Sequence, residues 1–448
     1  MTASAAAASS SASSSPSVDR SARYCIVGAG PAGLAAARAL GEAGIPFDVL
    51  ERHGDVGGIW DPEHAGSPMY ESAHFISSKT LSAFPGFPMP GDYPDYPGWR
   101  QILAYLRAFA DRFGLREHVE FHAAVERVAP AGDGNGGWDV TLESGEWRRY
   151  RGVVLAVGHN YDPVLPVYPG RFDGEAYHSV SYRSADQLRG KRVLVVGGGN
   201  SGCDIACDAA TGARRALISL RRGYHFLPKH VFGKPTDEFF RSGPELPTWL
   251  AQPLLTGLLR LLVGDLTRHG LRVPDHKVLE SHPIMNTQLI HHLAHGDIAA
   301  RPDVRELRGR RVRFADGSEE EVDTIIYATG YRASIPCVDT ALLGDPTGSD
   351  LYLTIFPPAH RDLFVVGRFE TDGGAYPVVT RQAELIAAVI RARESSPAAA
   401  ARFDALARGP RPDLSHGVKY IDSPRHSIYV QYEAYGRAVG RVLEGLHR

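Results

Sequence analysis

A chain that runs an apolar strand straight into a glycine turn, and out of the turn into a helix of small residues, has few folds open to it. This chain does so twice. Tyr24-Cys-Ile-Val leads into Gly28-Ala-Gly30-Pro31-Ala32-Gly33, then a helical run to Gly44 and the strand Pro46-Phe-Asp-Val-Leu-Glu51. Arg192-Val-Leu-Val-Val leads into Gly197-Gly-Gly199-Asn200-Ser201-Gly202, a second helical run and the strand Ala216-Leu-Ile-Ser-Leu220. Each is a βαβ unit, which requires parallel strands joined by a right-handed crossover. Both turns have the G-x-G-x-x-G spacing in its proper context, after a strand and opening a helix. The first glycine permits the tight turn, the second lets the backbone approach a pyrophosphate, and the third lets the helix pack close to its strand. The helix N-terminus then offers free N–H groups and positive potential to the phosphates. The expected fold class is α/β, with two Rossmann-like dinucleotide-binding domains.

The residues that follow each unit separate the two ligands. Glu51 ends the strand after the first turn. A carboxylate there accepts ribose hydroxyls and disfavours a 2′-phosphate, so the first unit suits FAD or NAD. The second unit ends in Ser219-Leu-Arg221-Arg222-Gly223, with no acid. A guanidinium matches a phosphate with two parallel hydrogen bonds, so Arg221 and Arg222 suit the 2′-phosphate of NADPH. Two sites of opposite preference imply a flavin in one and a hydride donor in the other, with the cofactors carrying the hard chemistry.

Composition narrows the rest. With 448 residues the chain is long enough for more than one domain. A net charge of −2 leaves no electrostatic footprint for nucleic acid. Cys25, Cys203, Cys207 and Cys337 form no C-x-x-C pair, which excludes a dithiol reductase built on these same two turns. No uninterrupted apolar run reaches the length of a membrane span; the best, Leu246 to Val263, is interrupted by Pro247, Gln252, Pro253 and Arg260. That leucine-rich stretch, continued to Leu271, is read either as an insertion over a pocket or as ordinary packed helices. The segment from Met69 to Trp99, rich in aromatics and prolines, is read either as a pocket wall or as a self-packed loop. His291 and His295 are four apart, but no third ligand is near and no metal is expected. Residues 1–22 are Ala/Ser-rich, lack a signal-peptide pattern and are expected to be a disordered tail, in a protein expected to be cytoplasmic, whose oligomeric state is open with a homodimer favoured only by base rate.

Between the two turns stands Phe172-x-Gly174-x-x-x-His178-x-x-x-Tyr182. It resembles the identifying motif of the flavin-containing monooxygenases, the class B flavoprotein monooxygenases. Baeyer–Villiger relatives usually end this motif in tryptophan followed by proline or aspartate; here Tyr182 is followed by Arg183, which favours the amine- and sulfur-oxidising branch. Other segments are similar too. They are the Glu51–Trp60 run, with Gly58, Ile59 and Trp60 as flavin contacts, the linker Ala156–Pro166, Tyr327-Ala-Thr-Gly-Tyr331, and Tyr376–Ile390 with its matching Gln382. The candidate cofactor residues also include Ser77 and Val125. One departure stands out: in Phe75-Ile76-Ser77-Ser78-Lys79 an isoleucine replaces the family's asparagine, which is associated with oxygen activation. Either His74 or Ser77 takes over, or the oxygenated intermediate is held differently or poorly.

The resemblance implies an FAD domain from both ends of the chain (23–166 and 299–448) and an inserted NADPH domain (167–298). It implies NADPH- and O2-dependent monooxygenation of a small molecule, N- or S-oxygenation through a C4a-hydroperoxyflavin. The protein positions and protects, so no catalytic residue is assigned, and His178 is expected to link the domains. A Baeyer–Villiger outcome and an uncoupled NADPH oxidase releasing H2O2 are the alternatives.

Overall fold

The computed structural model describes residues 18–132, 136–243, 246–345, 350–423 and 425–447. Residues 1–17 of the expected tail lie outside the described residues, as does the middle of the turn expected at 132–137. The elements that position the site begin with β1 (Val18–Val27), α1 (Pro31–Glu42), β2 (Phe47–Leu50), α2 (Trp99–Arg112) and β3 (Val119–Glu120). An antiparallel run follows, of β4 (Val125–Pro130), β5 (Trp138–Leu142) and β6 (Trp147–Leu155). Then come β7 (Glu175–His178), β8 (Arg192–Val196), α3 (Asn200–Gly212), β9 (Arg215–Ser219), α4 (Thr248–Val263), α5 (Gln288–His295), β10 (Ile298–Arg301) and β11 (Thr324–Tyr327). β12 (Leu363–Val365) and α6 (Ala375–Ser395) lead to the C-terminal helices.

Each glycine turn sits in a parallel sheet of the same design. The first sheet has the order β3-β2-β1-β6, with β12 parallel to β6 on the far side. The second has the order β10-β9-β8-β11-β7, parallel throughout. Strands buried on both faces must be apolar, and Val193, Leu194, Val195, Ile325 and Ile326 are almost wholly buried. Each such side chain removed from water contributes about 1.5–3 kcal/mol.

Two sequence expectations give way here. Residues 18–22 are not tail but the start of β1, paired with β6 in the register Val18↔Arg148, Asp19↔Arg149 and Arg20↔Tyr150. Arg20 and Arg23 both reach Asp48 on β2, so this end is held by polar contacts that leave no apolar pattern to read. The second sheet also does not end at Ile298. It takes β11, because Val193–Val196 needs a parallel neighbour on its other edge. A small sheet of residues 170–172, 304–309, 311–314 and 319–321 flanks it, as β4–β5 flank the first.

The chain crosses between the sheets twice, and the crossings pair as Asp162↔Arg332 and Pro163↔Tyr331. His178, buried at the end of β7, lies 3.1 Å by Nε2 from the Gly330 carbonyl, and its Nδ1 accepts the Val180 N–H at 3.1 Å. That pairing puts the proton on Nε2 and keeps the ring neutral, and burial lowers its pKa. No helix among the described residues is long and apolar enough to cross a membrane.

Candidate functional site: two glycine turns and the segment that joins them

The first turn is built by exclusion. Gly28 has φ +102°, and a Cβ there would sit 2.8 Å from the Ala156 carbonyl oxygen. A Cβ on Gly33 would sit 1.9 Å from the Gly28 oxygen, so only glycine lets α1 start this close to β1. Gly30 leads into the helix with no side-chain cap, and Pro31 opens it, leaving backbone N–H groups of the first turn without intrahelical acceptors. Gly58, at φ +58°, lies over this turn, where a Cβ would approach the Gly30 Cα to 2.9 Å. Buried Glu51 accepts the Ala29 N–H at 2.7 Å through Oε2 and the His53 N–H at 2.9 Å through Oε1. The carboxylate is thus fixed beside the turn, each oxygen retaining a lone pair for a further donor.

The second turn repeats this geometry. Gly197 has φ +121° and a Cβ there would lie 2.3 Å from the Ala328 oxygen; on Gly202 it would lie 2.2 Å from the Gly197 oxygen. Gly199 leads into α3, again without a side-chain cap. Beyond β9, Arg221 is exposed and Arg222 half-buried, and neither has a carboxylate partner among the described residues. The two units therefore differ at the residues that follow the second strand of each, an anchored carboxylate in one and, among the described residues, guanidinium groups without a carboxylate ion pair in the other.

Several predicted residues turn out to be engaged with the protein. Ser219 is buried and donates to the Pro302 carbonyl at 2.7 Å. Asn200 accepts the Met285 N–H at 2.9 Å and donates to the Pro283 carbonyl at 3.4 Å, which ties the start of α3 to the inserted segment. Ser201 follows Asn200 in the first turn of α3 and is exposed. Gln382 is wholly buried; it accepts the Gly367 N–H and donates to Thr354 Oγ1, both at 2.9 Å. Gly367 in turn lies against Ala32 on α1, where its Cβ would meet the Ala32 Cβ at 2.6 Å. Ser77 pairs with Ser82, and Val125 begins β4 opposite Leu142. Ile59 and Trp60 form a short turn with Gly58, and Trp60 meets Phe75 edge-on at 5.0 Å.

The segment after Met69 is more than a self-packed loop, because it belongs to both units. Met69, Tyr70 and Ala73 lie in the core of the second sheet, whereas Phe75 and Phe84 lie in that of the first. Polar staples hold it to α3. Tyr70 donates to Asp204 at 3.0 Å, and Asn286 donates to the other oxygen at 2.7 Å. Ser72 and Tyr182 both donate to Asp208, at 2.6 and 2.9 Å. Burial raises the pKa of both carboxyls. Sequence reasoning missed this pair. The available signal was two acids one turn apart on the small, apolar face of α3.

Most of the leucine-rich stretch is one helix, α4, that continues through Pro253, and Leu266–His269 forms a separate short turn after it. One face packs with Leu227, Val278 and Met285, and Ile76 joins that apolar cluster. The neighbours of Ile76 are engaged elsewhere. His74 lies by Nδ1 2.8 Å from the Ser72 carbonyl and meets Lys229 Nζ with Nε2, and burial lowers the pKa of that lysine. The His291 and His295 rings lie 4.0 Å apart, tilted by 39°, and no group of three metal-ligating side chains occurs among the described residues.

This architecture has known counterparts. The model of the flavin-binding monooxygenase-like family matches residues 21–432. The chain belongs to that family. It is 35% identical to a probable indole-3-pyruvate monooxygenase, YUCCA9 of Arabidopsis thaliana, over 69% of this chain and 75% of that one. It is 33% identical to an N-oxide-forming dimethylaniline monooxygenase of Rattus norvegicus, over 81% of this chain and 72% of the relative. In fold it is similar to cyclohexanone monooxygenase from Rhodococcus sp. Phi1 bound to NADP+, with a TM-score of 0.70 at 20% identity, covering 97% and 99% of the two chains. This family member is an FAD-dependent NADPH monooxygenase, and its cofactors are FAD and NADPH.

Proposed function

We propose that this monooxygenase oxygenates a soft nucleophile, a nitrogen or sulfur centre of a small molecule, with FAD on the first glycine turn and NADPH on the second. The FAD unit comprises the sheet made from both ends of the chain, and the NADPH unit is the sheet inserted between β6 and β12. When bound, the flavin takes hydride from NADPH and activates dioxygen. The protein's residues supply the rest. Uncapped helix starts at Gly30 and Gly199 face the pyrophosphates, Glu51 accepts ribose hydroxyls, and Arg221 with Arg222 holds the 2′-phosphate. Gln382 positions Gly367 beneath α1. The stapled segment Met69–Phe75 keeps the units in register and water out, which protects the reactive oxygen.

The observation that carries the N- or S-oxygenation reading is the end of the motif. Tyr182 is wholly buried against Asp208, and Arg183 folds back onto the Val180 and Tyr182 carbonyls, where Baeyer–Villiger relatives carry tryptophan and a different successor. The test is product analysis with NADPH and oxygen on a tertiary amine, a thioether and a cyclic ketone. An N-oxide or sulfoxide formed in step with NADPH supports the reading, and a lactone from the ketone alone contradicts it.

A second reading rests on Ile76. Its side chain sits among apolar residues, and His74 and Ser77 already hold protein partners. This favours leakage of oxygen as H2O2. Ile76→Asn is expected to lower the peroxide formed per NADPH; an unchanged yield removes this reading.

A further inference from the structure

We propose that Arg272, on the segment between β9 and β10, is a third guanidinium of the 2′-phosphate site and a specificity residue for the reductant. The inference rests on the reading that Arg221 and Arg222 bind the 2′-phosphate of NADPH.

The backbone places Arg272 there. Gly223 closes the Arg221-Arg222-Gly223 turn. A Cβ on Gly223 would lie 2.4 Å from the Val273 carbonyl carbon and 2.5 Å from both the Arg272 oxygen and the Pro274 nitrogen. All three are main-chain atoms, so residues 272–274 press directly on the turn and only glycine accommodates them. Leu271, just before, is buried in the core of the second sheet and anchors the segment. The Arg272 side chain returns to the same turn, with Nη1 donating to the Arg221 carbonyl at 3.4 Å.

Charge points the same way. Among the described residues none of Arg221, Arg222 and Arg272 forms an ion pair with a carboxylate, although Arg215 and Arg301 on the neighbouring strands share Glu320. Asp275, close enough to feel Arg222, is held by His276 at 2.8 Å. The Arg272 guanidinium lies at the turn that carries Arg221 and Arg222, so an anion bound at that turn meets three side chains of like charge. The three lie beyond the carboxyl end of β9, where ligands of open parallel sheets bind. The inserted segment therefore completes the reductant site.

The test uses calorimetric binding of 2′,5′-ADP and 5′-AMP to the FAD-loaded protein, which reads the phosphate without turnover. Arg272→Ala is expected to weaken 2′,5′-ADP about tenfold while leaving 5′-AMP unchanged, and Arg272→Lys is expected to restore part of the loss. The 5′-AMP affinity reports whether the fold survives. Equal loss for both ligands, or no loss for either, overturns the proposal. Arg221→Ala separates it from the reading beneath. If Arg221→Ala abolishes the preference and Arg272→Ala does not, only the role of Arg272 fails. If the unaltered protein shows no preference for 2′,5′-ADP, both fail.

Discussion

The two glycine turns are built alike down to the same main-chain contacts. Gly28 donates to the Leu50 carbonyl at 2.8 Å and Gly197 to that of Ser219 at 3.0 Å. Ala156 donates to Val27 at 3.0 Å and Ala328 to Val196 at 2.8 Å. What differs is the origin of the outer strand and the chemistry beside the ribose. The first sheet takes its fifth strand, β12, from after the insertion; the second takes β7 from the chain just entering it. On the proposal above, one frame serves two ligands, with preference set by a few side chains at the ends of two strands.

The largest expected effect breaks one turn and spares the other. A methyl on Gly33 or Gly202 meets a main-chain oxygen at about van der Waals overlap, 1.9 or 2.2 Å, and cannot be relieved by a rotamer change. Gly33→Ala is expected to purify without flavin. Gly202→Ala should stay yellow yet lose reduction by NADPH. Flavin absorbance before and after anaerobic NADPH checks both, and a yellow Gly33→Ala protein would show that the turns are not equivalent.

A smaller effect is expected at Glu51. Glu51→Gln keeps the shape but removes the charge and replaces one acceptor by a donor facing either the Ala29 or the His53 N–H. FAD affinity should fall about tenfold, with the 2′,5′-ADP affinity unchanged. Equilibrium dialysis of flavin measures the first and calorimetry the second; equal losses at both sites would mean that Glu51 serves the fold, not the ligand.

How much of this could be read beforehand follows from the range of the interactions. The turns, Glu51 and the arginine pair are local: each is a residue type at a spacing, and the backbone around it follows. The α/β class follows as well, since two βαβ units demand parallel sheets. The strand β11 reads as part of the first unit because its pairing with β8 joins segments far apart in sequence and leaves no local mark. The start of β1 reads as tail because its hold on the sheet is Arg20 and Arg23 on Asp48, not an apolar stripe. Ser219, Asn200 and Gln382 each hydrogen-bond within the protein, to Pro302, to Pro283 and Met285, and to Gly367 and Thr354. Nothing in spacing tells a side chain that faces a ligand from one that braces the loop beside it.

The smallest expected effect concerns the joint between the units. His178 is neutral in the fold because Nδ1 must accept from Val180, and burial holds its pKa below the ordinary value of 6.5. The unfolded chain then binds more protons, so this contribution is complete above about pH 6.5 and is lost as the pH falls below it. His178→Gln should flatten the fall in melting temperature between about pH 7 and pH 5. An unchanged slope would place the acid sensitivity elsewhere.

The most direct test of the division between the turns is anaerobic titration of the flavin-loaded enzyme with NADPH and with NADH, followed by loss of flavin absorbance. NADPH should bleach the flavin at concentrations about tenfold or more below those needed of NADH, and Arg221→Ala should bring the two together by weakening NADPH alone. Equal potency of the two reductants in the unaltered enzyme, or a preference that survives Arg221→Ala, would contradict the assignment of the second turn.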